Sequence, residues 1–587
     1  MNDKLFLIAI GGTGMRCLES FVHLCAAGLF DNHTIEILTL DTDQNNGNKD
    51  RVESLIGLYN KVKTNDASNQ GGEQRSNTFF SAKLNLYRFF TDYSTPNRQT
   101  LHALASTKNL TDEQRQDNQD LSDLLFERDS VQQFKLDHGY RAQTHLGSML
   151  MYHGIIEAAI NAKKGGDAVK TQEKELAKYL ELLNKHAATA RVFVFGSVFG
   201  GTGASSIPVI PIAISEALKI LTGGNNELNL KKVLFASTLL TDYFTFKTPT
   251  SQQLSTDKII ADANNFALNS QAALSFYNDD TTVKKTYKRM YHIGWPSSLK
   301  INYSDGKAGN VVTGGHEQRN DCHVAELMCA VAAYDFFNED RAKLEKIGEA
   351  EYDFRTVAVD DNGNMQLSGA SFVGSERGEV FENKLGALLS LAHIILSKFE
   401  GAHEGTCGTA QLLNYLDSAK FPNFNELSDA QCAEIDEYLK EFGYKFVKSN
   451  VVFGWIYQVF KSVGAGKFIF APEAFITDIN GLHNIDPGTI FADEAHHWDK
   501  SGVAVIITDI NGLHNIDPGT IFADEAHHWD KSGVAVINSS SDRRFNTLIS
   551  LLKSEDTLPD EAQATTLKEE FLAQIYNAVT IAQHFNE

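Results

Sequence analysis

Between Arg191 and Ile210 the chain reads RVFVFGSVFGGTGASSIPVI. The apolar run Val192 to Phe195 reads as a buried strand, and Ile207 to Leu218 as the start of a helix. Between them lies a glycine-rich turn, Gly200-Gly201-Thr202-Gly203-Ala204-Ser205. Glycines let a backbone come close to a phosphate, and the free N–H groups of a first helical turn point at it. Each charged hydrogen bond of that kind is worth roughly 1.5–3 kcal/mol, so a few hold a nucleotide. The same pattern without a ligand is a sharp strand-to-helix turn, and the rest of the chain has to decide between the two.

The N-terminus repeats the pattern. Leu5 to Ile10 is strand-like and runs into Gly11-Gly12-Thr13-Gly14. Met15 to Leu29 has helical spacing, and Thr34 to Leu40 is a second strand closed by Asp41-Thr42-Asp43-Gln44. This β-loop-α-β unit opens a parallel, doubly wound α/β sheet. A third glycine-bracketed loop, Gly139-Tyr140-Arg141-Ala142-Gln143-Thr144-His145-Leu146-Gly147, precedes a helical stretch from Ser148 to Ala162. Lys231 to Leu240 and Arg289 to Gly294 add strands, and Cys322 to Phe337, apolar almost all round, reads as a buried central helix. Three such loops and an acidic turn fit one nucleotide lying across the carboxyl ends of the strands. A dinucleotide fingerprint fits only in part: Gly12 and Gly14 stand in place, but Cys17 holds the third glycine position. Asp41 also lies farther on than the roughly 20 residues usual for the acidic partner.

A chain of 587 residues exceeds one core and predicts two or three domains. The boundary is expected between Phe337 and Glu351, giving a nucleotide-binding domain over 1–337 and a C-terminal α+β domain over 338–587. The polar stretch at about 45–130 is expected to be an insertion with short helices at Phe79 to Phe90 and Leu121 to Phe126. Beyond the boundary, strands are expected at Tyr352 to Val359 and Ser368 to Val373, and helices at Val380 to Phe399 and within Thr409 to Phe460. Ile476 to Ile506 recurs residue for residue as Ile507 to Ile537. Old structural repeats keep only their core positions, so this identity points to a very recent duplication or an artefact, and it carries no architectural meaning.

The net charge of −22 argues against a nucleic-acid partner. Six scattered cysteines, without a C-x-x-C pair, suit free thiols in a reducing compartment. Leu5 to Ile10 is too short for a secretory core and Leu385 to Leu396 too short to span a bilayer, so a cytoplasmic protein without membrane insertion is expected. The DEAHH stretches at Asp493 and Asp524 lack the phosphate loop that a helicase box needs. Their histidines read as surface residues, and no metal site is assigned.

With these residues in view, the chain resembles the tubulin/FtsZ superfamily of GTPases, especially its divergent bacterial tubulin-like members. Phe199 to Ser205, FGGTGAS, is similar to the signature G-G-G-T-G-[ST]-G, agreeing over Gly200 to Gly203. IAIGGTGMRCLES resembles the first nucleotide loop, LDTDQ the N-T-D-A loop, and GYRAQTHLG the G-A-G-A-N-P-E-V-G loop. The resemblance implies GTP or GDP with Mg2+, held by Gly11, Gly12, Thr13, Gly14, Asp41, Asp43, Gly139, Arg141, Ala142 and Gly200 to Ser205. It implies a guanine contact from Asn320 at the start of the central helix, or alternatively from Asn265 in NNFALN. In that second case Asn320, Asp321 and Glu326 approximate the loop that activates the next subunit's GTP. An N-x-D-x-x-D hydrolysis motif is missing, so no catalytic residue is assigned. The function implied is head-to-tail assembly into filaments, with any GTP hydrolysis coupled to assembly. Two alternatives are a GTP-binding scaffold that does not polymerise, with partners on its C-terminal half, and a Rossmann-type NAD-dependent oxidoreductase.

Overall fold

A computed structural model describes residues 3–30, 33–42, 46–64, 79–93, 95, 98–105, 110–128, 132, 136, 144–167, 169–224, 232–245, 262–302, 320–359, 365–366, 377, 384–385, 388, 392, 429–447 and 450–462. Its strands, in chain order, are β1 (Lys4–Ile10), β2 (Thr34–Asp41), β3 (Lys83–Phe90), β4 (Ala190–Phe195), β5 (Leu234–Leu240), β6 (Phe244–Thr245), β7 (Tyr287–Ile293), β8 (Ile301–Asn302), β9 (Glu351–Arg355), β10 (Ala358–Val359), β11 (Met365–Gln366), β12 (Tyr444–Val447) and β13 (Asn450–Phe453), the last four forming two antiparallel hairpins. Seven of them form one sheet in the order β3-β2-β1-β4-β5-β7-β9, parallel at every pairing. β6 and β8 make a separate two-residue parallel pair.

The central strands are near-continuous apolar runs because both faces of the sheet are covered, as parallel sheets require. Leu5, Leu7 and Ala9 of β1 point to one face and Phe6, Ile8 and Ile10 to the other. On the first face lie α1 (Gly11–Ala26) and α2 (Gly47–Thr64). On the second lie α3 (Thr144–Lys164), α4 (Thr171–Lys185) and, after the short α5 (Gly201–Ser206), α6 (Ile210–Thr222). The expected doubly wound α/β sheet is therefore present.

The helix α7 (Phe266–Asp279) leads toward β7, and α8 (Val324–Asn338) follows the sixth strand of the sheet. α8 is buried nearly all round, as its uniformly apolar sequence predicts. It starts with a capping box: His323 Nδ1 accepts from Ala325 N–H at 3.0 Å, and Glu326 accepts from His323 N–H at 2.9 Å.

Two expectations for the polar stretch at 45–130 are corrected. Phe79 to Phe90 is not helical: Lys83–Phe90 is strand β3, paired to β2 along its whole length. Gly47–Thr64 is a core helix, burying Val52, Leu55, Ile56, Tyr59 and Val62 against the sheet face. Phe126 closes a helix that begins at Asp112. Farther on, Glu351–Arg355, past the expected domain boundary, is the seventh strand of the same sheet.

Two later helices, α9 (Asp429–Phe442) and α10 (Trp455–Lys461), join the first-face core through Ile435, Tyr438, Leu439, Phe442, Trp455, Ile456 and Val459. Trp455 donates from Nε1 to Ser20 Oγ at 2.9 Å and stacks on His23 at 4.7 Å, so this segment is fastened directly to α1. The strand expected at Ser368 to Val373 and both copies of the repeat lie outside the described residues. Among the described residues no helix is long and apolar enough to cross a membrane.

Burial sets a pH dependence. His23 and His323 are fully buried, and desolvation pushes both well below the ordinary histidine value. In the unfolded chain each takes a proton near pH 6.5, whereas the folded protein keeps them neutral. Stability is thus expected to fall as pH drops from 7 to 5.5, by up to about 1.4 kcal/mol per unit for each histidine. Urea midpoints across that range read it, and His323→Gln should flatten the slope; a flat profile in the unsubstituted protein contradicts it.

Candidate functional site

β1 and β4 are neighbours, yet the chain leaves them toward opposite faces: α1 packs on one face and α6 on the other. Their carboxyl ends thus mark the switch point of the sheet, where open α/β folds bind ligands in the crevice between diverging loops. Gly11–Gly14 follows β1 and Gly196–Gly203 follows β4. The two loops touch. Gly11 sits at φ +64°, and a Cβ on it would stand 3.0 Å from Thr202 Cβ.

The helix α1 begins at Gly11 with no side-chain cap from Ile10, and α5 begins after Gly200 with none either. The amides of Gly11 to Gly14 and of Gly201 to Gly203 therefore have no side chain to satisfy them at the N-cap, where helix starts attract anions. Gly12, Thr13, Gly200 and Thr202 are half-buried at this crevice, while Gly11, Gly14, Gly201 and Gly203 are buried.

Two of the glycines have a packing role. A Cβ on Gly14 would lie 2.6 Å from the Phe195 carbonyl, and one on Gly203 2.6 Å from the Ser197 carbonyl. Gly14 lets α1 press against the end of β4, and Gly203 lets α5 fold back on its own loop. Gly203→Ala is expected to cost about 1–3 kcal/mol through this overpacking, read as a lowered urea midpoint; an unchanged midpoint contradicts the close approach.

The rest of the second loop is locked from behind. Ser205 Oγ donates to the Thr202 carbonyl at 2.9 Å, and Ser148 Oγ of α3 donates to the Ser205 carbonyl at 2.7 Å. The Ala204 carbonyl accepts the Tyr277 hydroxyl of α7. Ala204 and Ser205 are buried, so Gly200 to Thr202 is the part of this loop left at the crevice. Ser148 also brings the first turn of α3 against α5. Gly139, Arg141 and Ala142, which precede that turn, lie outside the described residues, as does Asp43.

Asp41, at the carboxyl end of β2, is 2% exposed. Its carboxylate accepts from Thr42 N–H at 2.7 Å and from Asn46 Nδ2 at 3.2 Å, while Asn46 Oδ1 accepts from Asn48 N–H at 3.0 Å. Asp41 thereby orders the turn that starts α2. Beside it the Thr42 hydroxyl and both side-chain polar atoms of Asn48 are buried without a partner among the described residues. Buried polar atoms are rarely left so, and these make the turn next to the Gly11 loop a place where a polar ligand gains hydrogen bonds.

The two candidates for a base contact are tied to different loops. The Asn320 carbonyl accepts from Arg16 Nη1 at 2.7 Å and Arg51 Nη1 at 3.4 Å, which fixes its backbone over α1 and α2. Asn265, exposed, precedes Phe266, whose ring packs 4.9 Å from that of Phe199, the residue before Gly200.

Spacing alone did not reveal the buried charges behind the site. Arg16, one turn past the Gly11 loop, is paired with Glu326 of α8, and both are nearly inaccessible. Glu326 also accepts from the Tyr243 hydroxyl. Arg51 of α2 pairs with Glu19 of α1 at 2.5 Å and donates to Cys322 Sγ at 3.1 Å. Burial raises the Glu19 carboxyl above the ordinary value despite the two arginines that oppose this. Glu326, 0% exposed and bound to Arg16, is out of reach of a neighbouring subunit, which removes the surface role that one reading gave it. The sequence signal for the network is a charge at positions 16, 19 and 326 inside otherwise apolar helices.

The chain matches no protein-family model, no curated protein and no solved structure. Fold and loops together define an α/β protein with an open, all-parallel sheet whose switch point is walled by two uncapped, glycine-rich helix starts.

Proposed function

We propose that this chain is a GTP-binding protein of the tubulin/FtsZ type that assembles head to tail into filaments. The observation that carries the reading is the meeting of Gly11 and Thr202 at the switch point, between the carboxyl ends of β1 and β4. Two uncapped helix starts meet there, and helix starts offer amides to phosphate oxygens. The order of parts agrees: a glycine loop after β1, the acidic turn from Asp41 after β2, a second glycine loop after β4, and a buried central helix after the sixth sheet strand.

In this reading the amides of Gly11 to Gly14 and Gly200 to Thr202 bind the phosphates, and the Thr13 and Thr202 hydroxyls lie at hand as further donors. Asp41 holds the β2 turn in shape, and Asn320 or Asn265 reads the base. Magnesium, when bound, supplies positive charge to the phosphates; it keeps waters and phosphate oxygens as ligands and asks few groups of the protein. Head-to-tail contacts are heterologous and generate open filaments. Pelleting and light scattering test this. GTP is expected to bring the protein into the pellet, and any GTPase activity per molecule to rise with protein concentration. No polymer with GTP, together with activity independent of concentration, would leave the non-polymerising scaffold.

Asp41 at the end of β2 is the observation that favours an NAD-binding reading, because dinucleotide folds place an acid there to bind the ribose. Its carboxylate already serves Thr42 and Asn46, and Cys17 is buried where that fingerprint has its third glycine.

A further inference from the structure

The two edges of the sheet are treated differently. At β3 the edge is closed by α4: Arg88 N–H donates to the Glu175 carboxylate at 2.6 Å, and the Arg88 side chain is held by Glu53 at 2.8 Å. At β9 the outer edge has no strand partner among the described residues. The Arg355 carbonyl accepts from Gly294 N–H, so the backbone groups of Glu351, Asp353 and Arg355 face inward to β7. Those of Tyr352 and Phe354 face outward. Natural sheets blunt an open edge with lysine or other charges, proline or a bulge, and here the charges Glu351, Asp353 and Arg355 all lie on one face of the strand. The other face of this regular strand carries Tyr352 and Phe354, 41% and 61% exposed.

We infer that the β9 edge is an interface with a second copy of this chain, formed by antiparallel pairing of β9 with β9 about a two-fold axis at Asp353. The sequence Glu-Tyr-Asp-Phe-Arg is complementary to itself in that register. Glu351 stands opposite Arg355 of the second copy, and Tyr352 opposite its Phe354. The outward-facing residues are then the ones that exchange N–H···O bonds, Tyr352 of each copy with Phe354 of the other, so hydrogen-bond phase and side-chain pairing agree. Any register one residue away would break both. The two aspartates at the axis do not meet bare: each is held at 2.7 Å by Arg355 of its own chain, which also binds Asp335 at 2.9 Å. Such an interface is isologous, closes at two copies and needs no nucleotide. It therefore stands or falls separately from the head-to-tail assembly proposed above.

The test uses the full chain without nucleotide. In a non-hydrogen-bonded antiparallel pair the facing Cα atoms come within disulfide reach. Asp353→Cys is expected to give a covalent dimer on mild oxidation, well above the background of the unsubstituted chain. Tyr352→Cys, which faces Phe354 rather than itself, is expected to stay at background. In sedimentation velocity, Phe354→Lys is expected to remove the dimer seen with the unsubstituted protein, and Tyr352→Lys does the same should the first variant fold poorly. The inference is overturned if Asp353→Cys cross-links no more than Tyr352→Cys, or if both lysine variants sediment as the unsubstituted protein does.

Discussion

Glu326→Ala is expected to lower folding stability by about 3–5 kcal/mol, because it leaves Arg16 charged and buried without its carboxylate. Arg16 keeps the carbonyls of Asn320 and Asp321, but neutral oxygens do not replace a paired charge. The Tyr243 hydroxyl and the His323 amide lose an acceptor in the same step. Arg16→Met is expected to cost a similar amount, and the double variant Arg16→Met/Glu326→Gln clearly less than the sum of the two. Urea unfolding followed by circular dichroism measures all three. Strict additivity would mean that the two groups do not interact. Through this pair the first glycine loop and the central helix are one mechanical unit, with α10 attached to α1 through Trp455 and Ser20.

Gly11→Val is expected to weaken GTP binding by about a hundredfold or more. A β-branched residue at φ +64° costs about 1–3 kcal/mol in backbone strain, and its Cβ meets Thr202 at 3.0 Å. Relief of either moves the first turn of α1 away from α5 and separates the two sets of amides. Losing one or two charged hydrogen bonds, at roughly 1.5–3 kcal/mol each, accounts for the factor. Gly11→Ala should fall between, because it meets the same contact with less bulk. A fluorescent GTP analogue titrated into each folded variant reads the effect. Equal affinity in all three proteins would place the phosphate elsewhere.

The elements around the switch point were legible because their residues are buried on both faces. Val192 to Phe195 and Leu5 to Ile10 are short apolar runs closed by glycine, the length and flanks of interior strands, and Cys322 to Phe337 has no polar face to show to water. β3 is not legible locally because an edge strand shows only partial alternation, and its partner β2 lies about 49 positions earlier, where no local pattern reports it. In α2 the signal existed: Val52, Leu55, Ile56, Tyr59 and Val62 follow helical spacing. Lysines, asparagines and glycines between them gave the stretch the texture of a loop. At the site, the glycines were legible as a group but their division of labour was not. Only the fold separates Gly14 and Gly203, which admit close packing, from Gly11 at the meeting of the loops. The pairing of Arg16 with Glu326 spans 310 positions and leaves no trace in spacing.

The most direct measurement is the melting temperature of the full chain with magnesium and, in turn, GTP, GDP, ATP and NAD. Ligand at about a hundred times its Kd stabilises the folded state by roughly 2.7 kcal/mol. GTP and GDP are expected to raise the melting temperature clearly and ATP or NAD little, and Gly11→Val is expected to lose the rise. A larger rise with NAD than with GTP, or no rise with any nucleotide, would contradict GTP binding at the switch point.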